Sequence, residues 1–259
     1  LNLDGAAGTD FTVTFVDLEP VDLTDMLVVT INGSANTDTI ALDNGTSIAG
    51  EDAIQVSGTV DGFTMETAFV RDAGTLNILT AAGDDTLTIN GATNAHNVTN
   101  LTLNTGTDTN SIAVAGSATV TGTMILTTTG SIADSGAGGT LSADSLKLDS
   151  GTGVGTSGNV IDTAVTTLSA QASTSGGVFV TETDGLTIGT VDSLIGLTST
   201  NGEVFLALTN GTLTVNEQVS AAGATNDARI DVNGAGDDDD IVLASNGNIS
   251  AADQVELRA

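Results

Sequence analysis

The feature that most constrains this fold is a strand–corner–strand phrase that recurs along the chain. In each phrase a short strand of alternating apolar and polar residues leads into a corner rich in Gly, Asn and Asp, and a second alternating strand follows. Alternation with a period of two is typical of β-strands that bury one face. Such phrases begin at Leu1, Leu27, Leu76, Leu101 and Ala228. The sequence therefore predicts an all-β protein.

The spacing of the phrases predicts stacked repeats. Ile40, Phe63, Leu87 and Ile112 are the first apolar residues after successive corners, at steps of 23, 24 and 25 residues. From about Met124 the phrases change, but apolar positions still recur every 18 to 25 residues. These positions are Leu126, Leu146, Leu168, Ile188, Leu206, Ile230 and Val255. Repeats of this length are typical of units that bury their apolar faces only by stacking.

Two architectures are compatible with short alternating strands. An antiparallel sandwich expects a turn every 8–12 residues, which is shorter than the period seen here. A solenoid coil of this length holds two or three strands, with Val, Ile, Leu and Ala pointing into a narrow interior. Aromatic residues make up only 2% of the chain, which suits such a slim core. We therefore predict a right-handed parallel β-helix, a β-solenoid with coils of roughly 18–27 residues.

The charge excludes some partners. A formal net charge of −29 excludes nucleic acid and argues against binding to an anionic membrane surface. No run of 18 apolar residues exists, so membrane insertion is not expected. The chain begins at Leu1 without Met and stops inside a strand-like phrase at Ala259. It is interpreted as a segment of a longer, processed protein.

The second half carries a family resemblance. The phrases GSIADSG, GTGVGTSGNVIDTAV and GLTIGTV resemble the repeat region of filamentous-haemagglutinin-like large bacterial surface proteins. The likeness covers roughly residues 123–259, and residues 1–122 are similar to the Gly-Asp-Asp strand repeats of very large bacterial extracellular proteins. We divide the chain into these two parts and expect one continuous solenoid. The resemblance implies a secreted, right-handed parallel β-helix that forms an adhesive shaft, located outside the cell or on a bacterial cell surface.

The paired acids suggest a metal site. In AGDDTLTI, the spacing of Gly83, Asp85 and Leu87 matches the core of the nonapeptide that binds calcium in RTX-type β-rolls. Carboxylates on successive corners would share a hard cation through oxygen ligands. The candidate metal ligands are Asp84, Asp85, Asp237, Asp238, Asp239 and Asp240. The alternative is that Gly-Asp and Asn-Gly simply make good turns and water solvates the charge.

Three functions from different classes follow. The leading hypothesis is a structural shaft segment of an exported adhesin or extracellular filament, without catalysis. Its partners would be further copies stacked end to end, or the continuation of a longer chain, and a host or neighbouring cell surface is a further candidate. The alternative is a calcium-dependent binding module for sugars or partner proteins.

A β-helix enzyme that degrades polysaccharides is the third hypothesis. An inverting glycosidase needs carboxylates about 6.5–9.5 Å apart, which Asp85 or Asp108 would supply here. The absence of Trp and Tyr argues against it, as do the four dispersed basic residues, which we expect to pair with nearby acids. A groove on the outer face with one basic residue and two acids would favour it.

Overall fold

All regular elements of the described chain are β-strands. A computed structural model describes residues 2–4, 20–93, 97–136, 138–233 and 240–259. Within these ranges there is no helix of a length and apolarity sufficient to cross a membrane. The strands form a β-solenoid of about seven turns, which confirms the predicted fold class.

The strands are short, as the alternating phrases predict. In chain order they are β1 (Asn2–Asp4), β2 (Val21–Thr24), β3 (Val28–Asn32), β4 (Thr39–Thr46), β5 (Asp52–Val60), β6 (Phe63–Thr64), β7 (Ala68–Arg71), β8 (Thr75–Leu79), β9 (Thr86–Ile89), β10 (Asn100–Asn104), β11 (Ser111–Val114), β12 (Ala118–Thr119), β13 (Thr123–Thr128), β14 (Ser131–Asp134), β15 (Thr140–Ser150), β16 (Gly153–Val154), β17 (Ile161–Ala172), β18 (Val178–Glu182), β19 (Leu186–Ile188), β20 (Thr190–Val191), β21 (Leu194–Ile195), β22 (Leu197–Ser199), β23 (Val204–Leu208), β24 (Leu213–Val215), β25 (Val219–Ala221), β26 (Ala228–Val232), β27 (Ile241–Leu243), β28 (Ile249–Ala251) and β29 (Val255–Arg258).

Parallel pairing between successive coils builds the sides of the solenoid. The first face consists of β4, β9, β11, β14, β16, β18, β23, β26 and β29. The second face consists of β3, β8, β10, β13, β15, β17, β22, β25 and β28. Shorter rows, β12 with β15 and β17, and β19 with β24 and β27, connect them.

Apolar side chains in register form the core. On the first face, one column of consecutive strand partners consists of Ile40, Leu87, Ile112, Ile132, Val154, Val178, Val204, Ala228 and Val255. All of them except Val255 are fully buried. The period-two alternation thus places slim aliphatic residues inside and Thr, Ser and charged residues outside.

The predicted position of Phe63 is wrong. Its side chain is 74% exposed, because residues 43–64 leave the parallel stack as an antiparallel excursion, in which β5 pairs with β4, β6 and β7. Ile40 pairs with Leu87 directly, so one solenoid coil and one excursion lie between them. The spacing of 23 residues between Ile40 and Phe63 therefore does not correspond to one coil of the solenoid.

The apolar period of the second half mixes two faces. Leu146 and Leu168 are register partners on the second face, and Leu168 also pairs with Ile188 of β19, which begins a shorter row. Leu206 and Ile230 are partners on the first face. Every one of these residues is fully buried, so their assignment to the core is confirmed. The pattern of the sequence gives the coil length but not the side on which a residue lies.

The solenoid runs without a break through residues 122 and 123. Leu101 of β10 pairs with Met124 of β13, and Leu103 pairs with Leu126. β13 in turn pairs with β15, so the two parts distinguished by sequence share one sheet and one core.

Candidate functional site

A ladder of buried Asp and Asn side chains lies at the corner that leads into the first face. Asp38, Asp85 and Asn110 each directly precede the residue that begins β4, β9 and β11, and these strands are in register. Oδ1 of Asp85 accepts a hydrogen bond from the Asp38 N–H at 2.8 Å, and Oδ1 of Asn110 accepts one from the Asp85 N–H at 2.6 Å. Asp85 and Asn110 thus each satisfy a backbone donor of the preceding coil, whereas the Asp38 carboxylate accepts the N–H groups of Ser34 and Asp61.

The two acids of the Gly-Asp-Asp corner have different roles. Asp85 points inward and is 1% exposed. Asp84 is exposed, and its Oδ1 accepts a hydrogen bond from the N–H of Thr109 at 3.2 Å. Asp85 therefore bonds to the preceding coil and Asp84 to the following one, which gives the paired acids a structural role as links between coils.

One carboxylate oxygen of the ladder has no partner. Nδ2 of Asn110 donates to the carbonyls of Thr105 and Thr107, both at 2.6 Å. Asp85 is the residue equivalent to Asn110 one coil earlier. Within the described part of the chain, its Oδ2 atom is buried and has no hydrogen bond. A buried acceptor without a partner costs about 1–3 kcal/mol.

We expect Asp85→Asn to raise the free energy of unfolding by about 1 kcal/mol at pH 7, because the new amide would bond as Asn110 does. Urea unfolding without divalent cations measures this, and Asp84→Asn is the matched control on the exposed acid. If Asp85 instead holds calcium, the variant loses stability in millimolar calcium and gains none in its absence.

The predicted metal ligands that the structure describes differ in their exposure and in their hydrogen bonds. Asp84 and Asp85 belong to the corner just described, and Asp240 is exposed, with its carbonyl accepting the N–H of Leu213. Asp237, Asp238 and Asp239 lie outside the described residues. Among the described ranges, no three His, Cys, Asp or Glu residues form a group suited to a metal ion. Calcium at these corners stays a prediction.

A further buried acid, Glu182, stabilises the corner after β18. Its carboxylate accepts hydrogen bonds from the Thr163 hydroxyl at 2.7 Å, from the Val165 N–H at 3.1 Å and from the Thr183 N–H at 2.8 Å. Burial raises the pKa of Glu182 above its usual value, although these hydrogen bonds act in the opposite direction. Glu182 thus ties β17 to the end of β18 at some electrostatic cost.

The last coil presents an apolar end face. Leu243, Val255 and Leu257 are 50%, 42% and 46% exposed. Their register partners one coil earlier, which include Val215 and Ile230, are fully buried. We call these three exposed residues, with the partly buried Ile241 and Ile249, the C-terminal end face. No strand in the described ranges pairs with the outer edges of β27, β28 and β29.

The basic residues pair with acids, as predicted. Arg71 lies 3.0 Å from Asp72, and the Nζ of Lys147 lies 3.2 Å from Asp192 at the tip of the β20–β21 hairpin. Arg229 and Arg258, on neighbouring coils of the first face, share the carboxylates of Asp231 and Glu256. The hydrogen bond to Asp231 raises the pKa of Arg229 above its ordinary value.

An outer groove of about 340 Å³ crosses four coils of the first face near its C-terminal end. Its floor is one outward column, in which Phe179, Phe205, Arg229 and Glu256 are consecutive strand partners. Acids that precede β23 and β26 form a wall beside this column. The residues that define the outer groove are Phe179, Glu203, Phe205, Asp227, Arg229 and Glu256.

The groove combines a basic residue with acids, which is the combination that would favour a polysaccharide-degrading enzyme. However, Asp85 and Asp108, the acids suggested for catalysis from the sequence, lie outside it. Asp85 is buried in the corner ladder, and Asp108 accepts the N–H of Gly83 at 3.1 Å. Arg229 is already engaged with Asp231 and Glu256. Catalysis at the groove stays a prediction.

Sequence reasoning missed most of these residues. The corner ladder has a signal, because Asp38, Asp85 and Asn110 each stand immediately before a Thr or Ser that opens a strand. Phe179 and Phe205 are separated by a single coil length, which would have suggested that they stack. Glu182 has no evident signal, since an acid at the end of a strand usually faces water.

No protein-family model, no curated protein and no solved structure matches this chain. The class that the structure shows is a parallel β-solenoid.

Proposed function

We propose that this chain is a structural shaft segment of an exported bacterial adhesin or extracellular filament, located outside the cell or on its surface. The resemblance of residues 123–259 to filamentous-haemagglutinin-like proteins suggests this class. The solenoid supports it, because coils stacked in register make a stiff rod whose length grows with each added coil.

The observation that carries the proposal is the C-terminal end face. Its apolar residues continue columns that are buried in the coils just before it, and the adjoining strand edges offer unpaired N–H and C=O groups. Such a surface is complementary to another coil of the same kind, since that coil would add both ladder hydrogen bonds and core. The occupant is either the continuing polypeptide or a second copy stacked end to end.

Charge on the end face is expected to block stacking. For residues 1–259 produced alone, we expect assembly that increases with protein concentration, measured by light scattering coupled to size-exclusion chromatography. The double variant Leu243→Lys with Leu257→Lys should shift the protein to monomers, because each buried Lys would be unpaired in the contact. Ile195→Lys is the matched control, since Ile195 is 49% exposed on the β20–β21 hairpin, away from the end.

A wild-type chain that stays monomeric at millimolar concentration would rule out end-to-end stacking of copies. Continuation by the same polypeptide would then be tested by electron microscopy of the native assembly. Globular particles rather than rods in those images would overturn the shaft proposal as a whole.

A further inference from the structure

In the outer groove a cation of the chain itself lies against an aromatic ring. The guanidinium of Arg229 lies over the ring of Phe205, with its carbon 5.3 Å from the ring centroid. Arg229 also pairs with Asp231 and lies 3.6 Å from Glu256. An aromatic face and flanking carboxylates thus hold a cation on this surface, as expected from the negative face of the ring.

Phe179, one coil earlier, is a second aromatic residue of the groove with a nearby acid, Glu203, and its next-coil partner is Phe205 rather than a cation. Its ring packs against Gly177, where a β-carbon would lie only 2.4 Å from the ring, so Gly177 makes room for it. The next residue in the column after Phe179 is Phe205, which brings no charge. Glu203 is exposed beside this pair, and its carboxylate forms no ion pair within the described residues.

The charge of the groove favours a cationic ligand. Glu203, Asp227 and Glu256 contribute three carboxylates against the single guanidinium of Arg229. The net charge of −29 adds a long-range field of the same sign, which attracts basic partners and repels polyanions. The groove spans four strands at a spacing of about 4.8 Å, which accommodates about four residues of an extended peptide.

We propose that the outer groove binds a basic, extended peptide segment of a partner protein. An Arg or Lys side chain of that segment lies over Phe179 and pairs with Glu203, repeating the arrangement of Arg229 over Phe205. The segment follows the solenoid axis, so its next basic side chain reaches Asp227. This binding surface shares strand β29 with the C-terminal end face, but it uses outward side chains and does not depend on the shaft proposal.

Calorimetric titration with the peptide acetyl-Gly-Arg-Gly-Arg-Gly-amide tests this directly. The matched peptide contains citrulline in place of arginine, which keeps the shape and removes the charge. We expect binding of the arginine peptide alone, weakened roughly three- to tenfold by Phe179→Leu and by Glu203→Gln. The control Glu66→Gln makes the same charge change at an exposed site outside the groove and should leave Kd unchanged.

Melting temperatures equal to that of the wild type would show that the variants fold. Equal binding of the citrulline peptide would overturn the proposal, as would arginine-peptide binding that Glu66→Gln weakens as much as Glu203→Gln does. The absence of binding at millimolar peptide in about 0.1 M salt would overturn it too, because charge attraction is still effective there.

Discussion

Glu182→Ala is expected to lower the free energy of unfolding by about 3 kcal/mol, among the largest effects of any single polar substitution here. The change leaves the N–H of Val165 buried without its acceptor and opens a cavity at the junction of β17 and β18. Equilibrium urea unfolding followed by far-ultraviolet circular dichroism measures it. A loss below about 0.5 kcal/mol, the size of an ordinary surface substitution, would contradict the role assigned to Glu182.

Glu182→Gln keeps the size and shape of the side chain but removes its titratable charge, so it isolates the effect of that charge on stability. Because burial raises the pKa of Glu182 in the folded state above 4.5, the folded chain keeps this proton at pH values where the unfolded chain has lost it. The Glu182 contribution to stability therefore falls as pH rises from about 4.5 through the raised pKa. The Gln variant should lack this part of the pH dependence, while an unchanged pH profile would mean that another group causes it.

Gly130→Ala is expected to cost about 3 kcal/mol, and its cause lies in the backbone. Gly130 follows Asn110 at the corner position of the ladder, and a β-carbon there would lie 1.6 Å from the Asn110 carbonyl oxygen. The coils would have to separate at this corner, which would weaken the pairing of β11 with β14. Thermal and urea unfolding both report the loss.

Gly158→Ala is the matched control for this substitution. Its β-carbon would meet no atom within 4 Å, so stability should change by less than about 0.5 kcal/mol. Equal losses for the two variants would contradict the close contact at Gly130 and point to a general effect of glycine replacement.

The coil length was predictable because two patterns in the sequence agree. The alternation of apolar and polar residues marks the strands, and equivalent apolar residues recur once per coil. Ile40, Leu87 and Ile112 were identified as equivalent from sequence, and they are consecutive partners on the first face. Phe63 was misplaced because an antiparallel excursion has the same period-two alternation as a solenoid strand. Alternation of apolar and polar residues indicates that one face of a strand is buried, but it does not indicate whether the partner strand is parallel or antiparallel.

The site was less predictable because it is built between coils. The Gly-Asp-Asp motif suggests that Asp84 and Asp85 act together, but the two side chains bond to different coils, and only Asp85 is buried. The outer groove combines Phe179, Phe205 and Arg229, which are 24 to 26 residues apart and share no local motif. Only the register of β18, β23 and β26 brings them together.

Distances between spin labels test the central claim, that the coils stack in register along one axis, most directly. The chain has no cysteine, so pairs of introduced cysteines are labelled specifically. Thr127, Thr198, Ser220 and Ser250 lie on one outward column of the second face. From a label at Thr127, we predict separations of about 14, 19 and 24 Å to labels at the other three, one strand spacing more for each coil. Separations that do not increase in this order would contradict the solenoid.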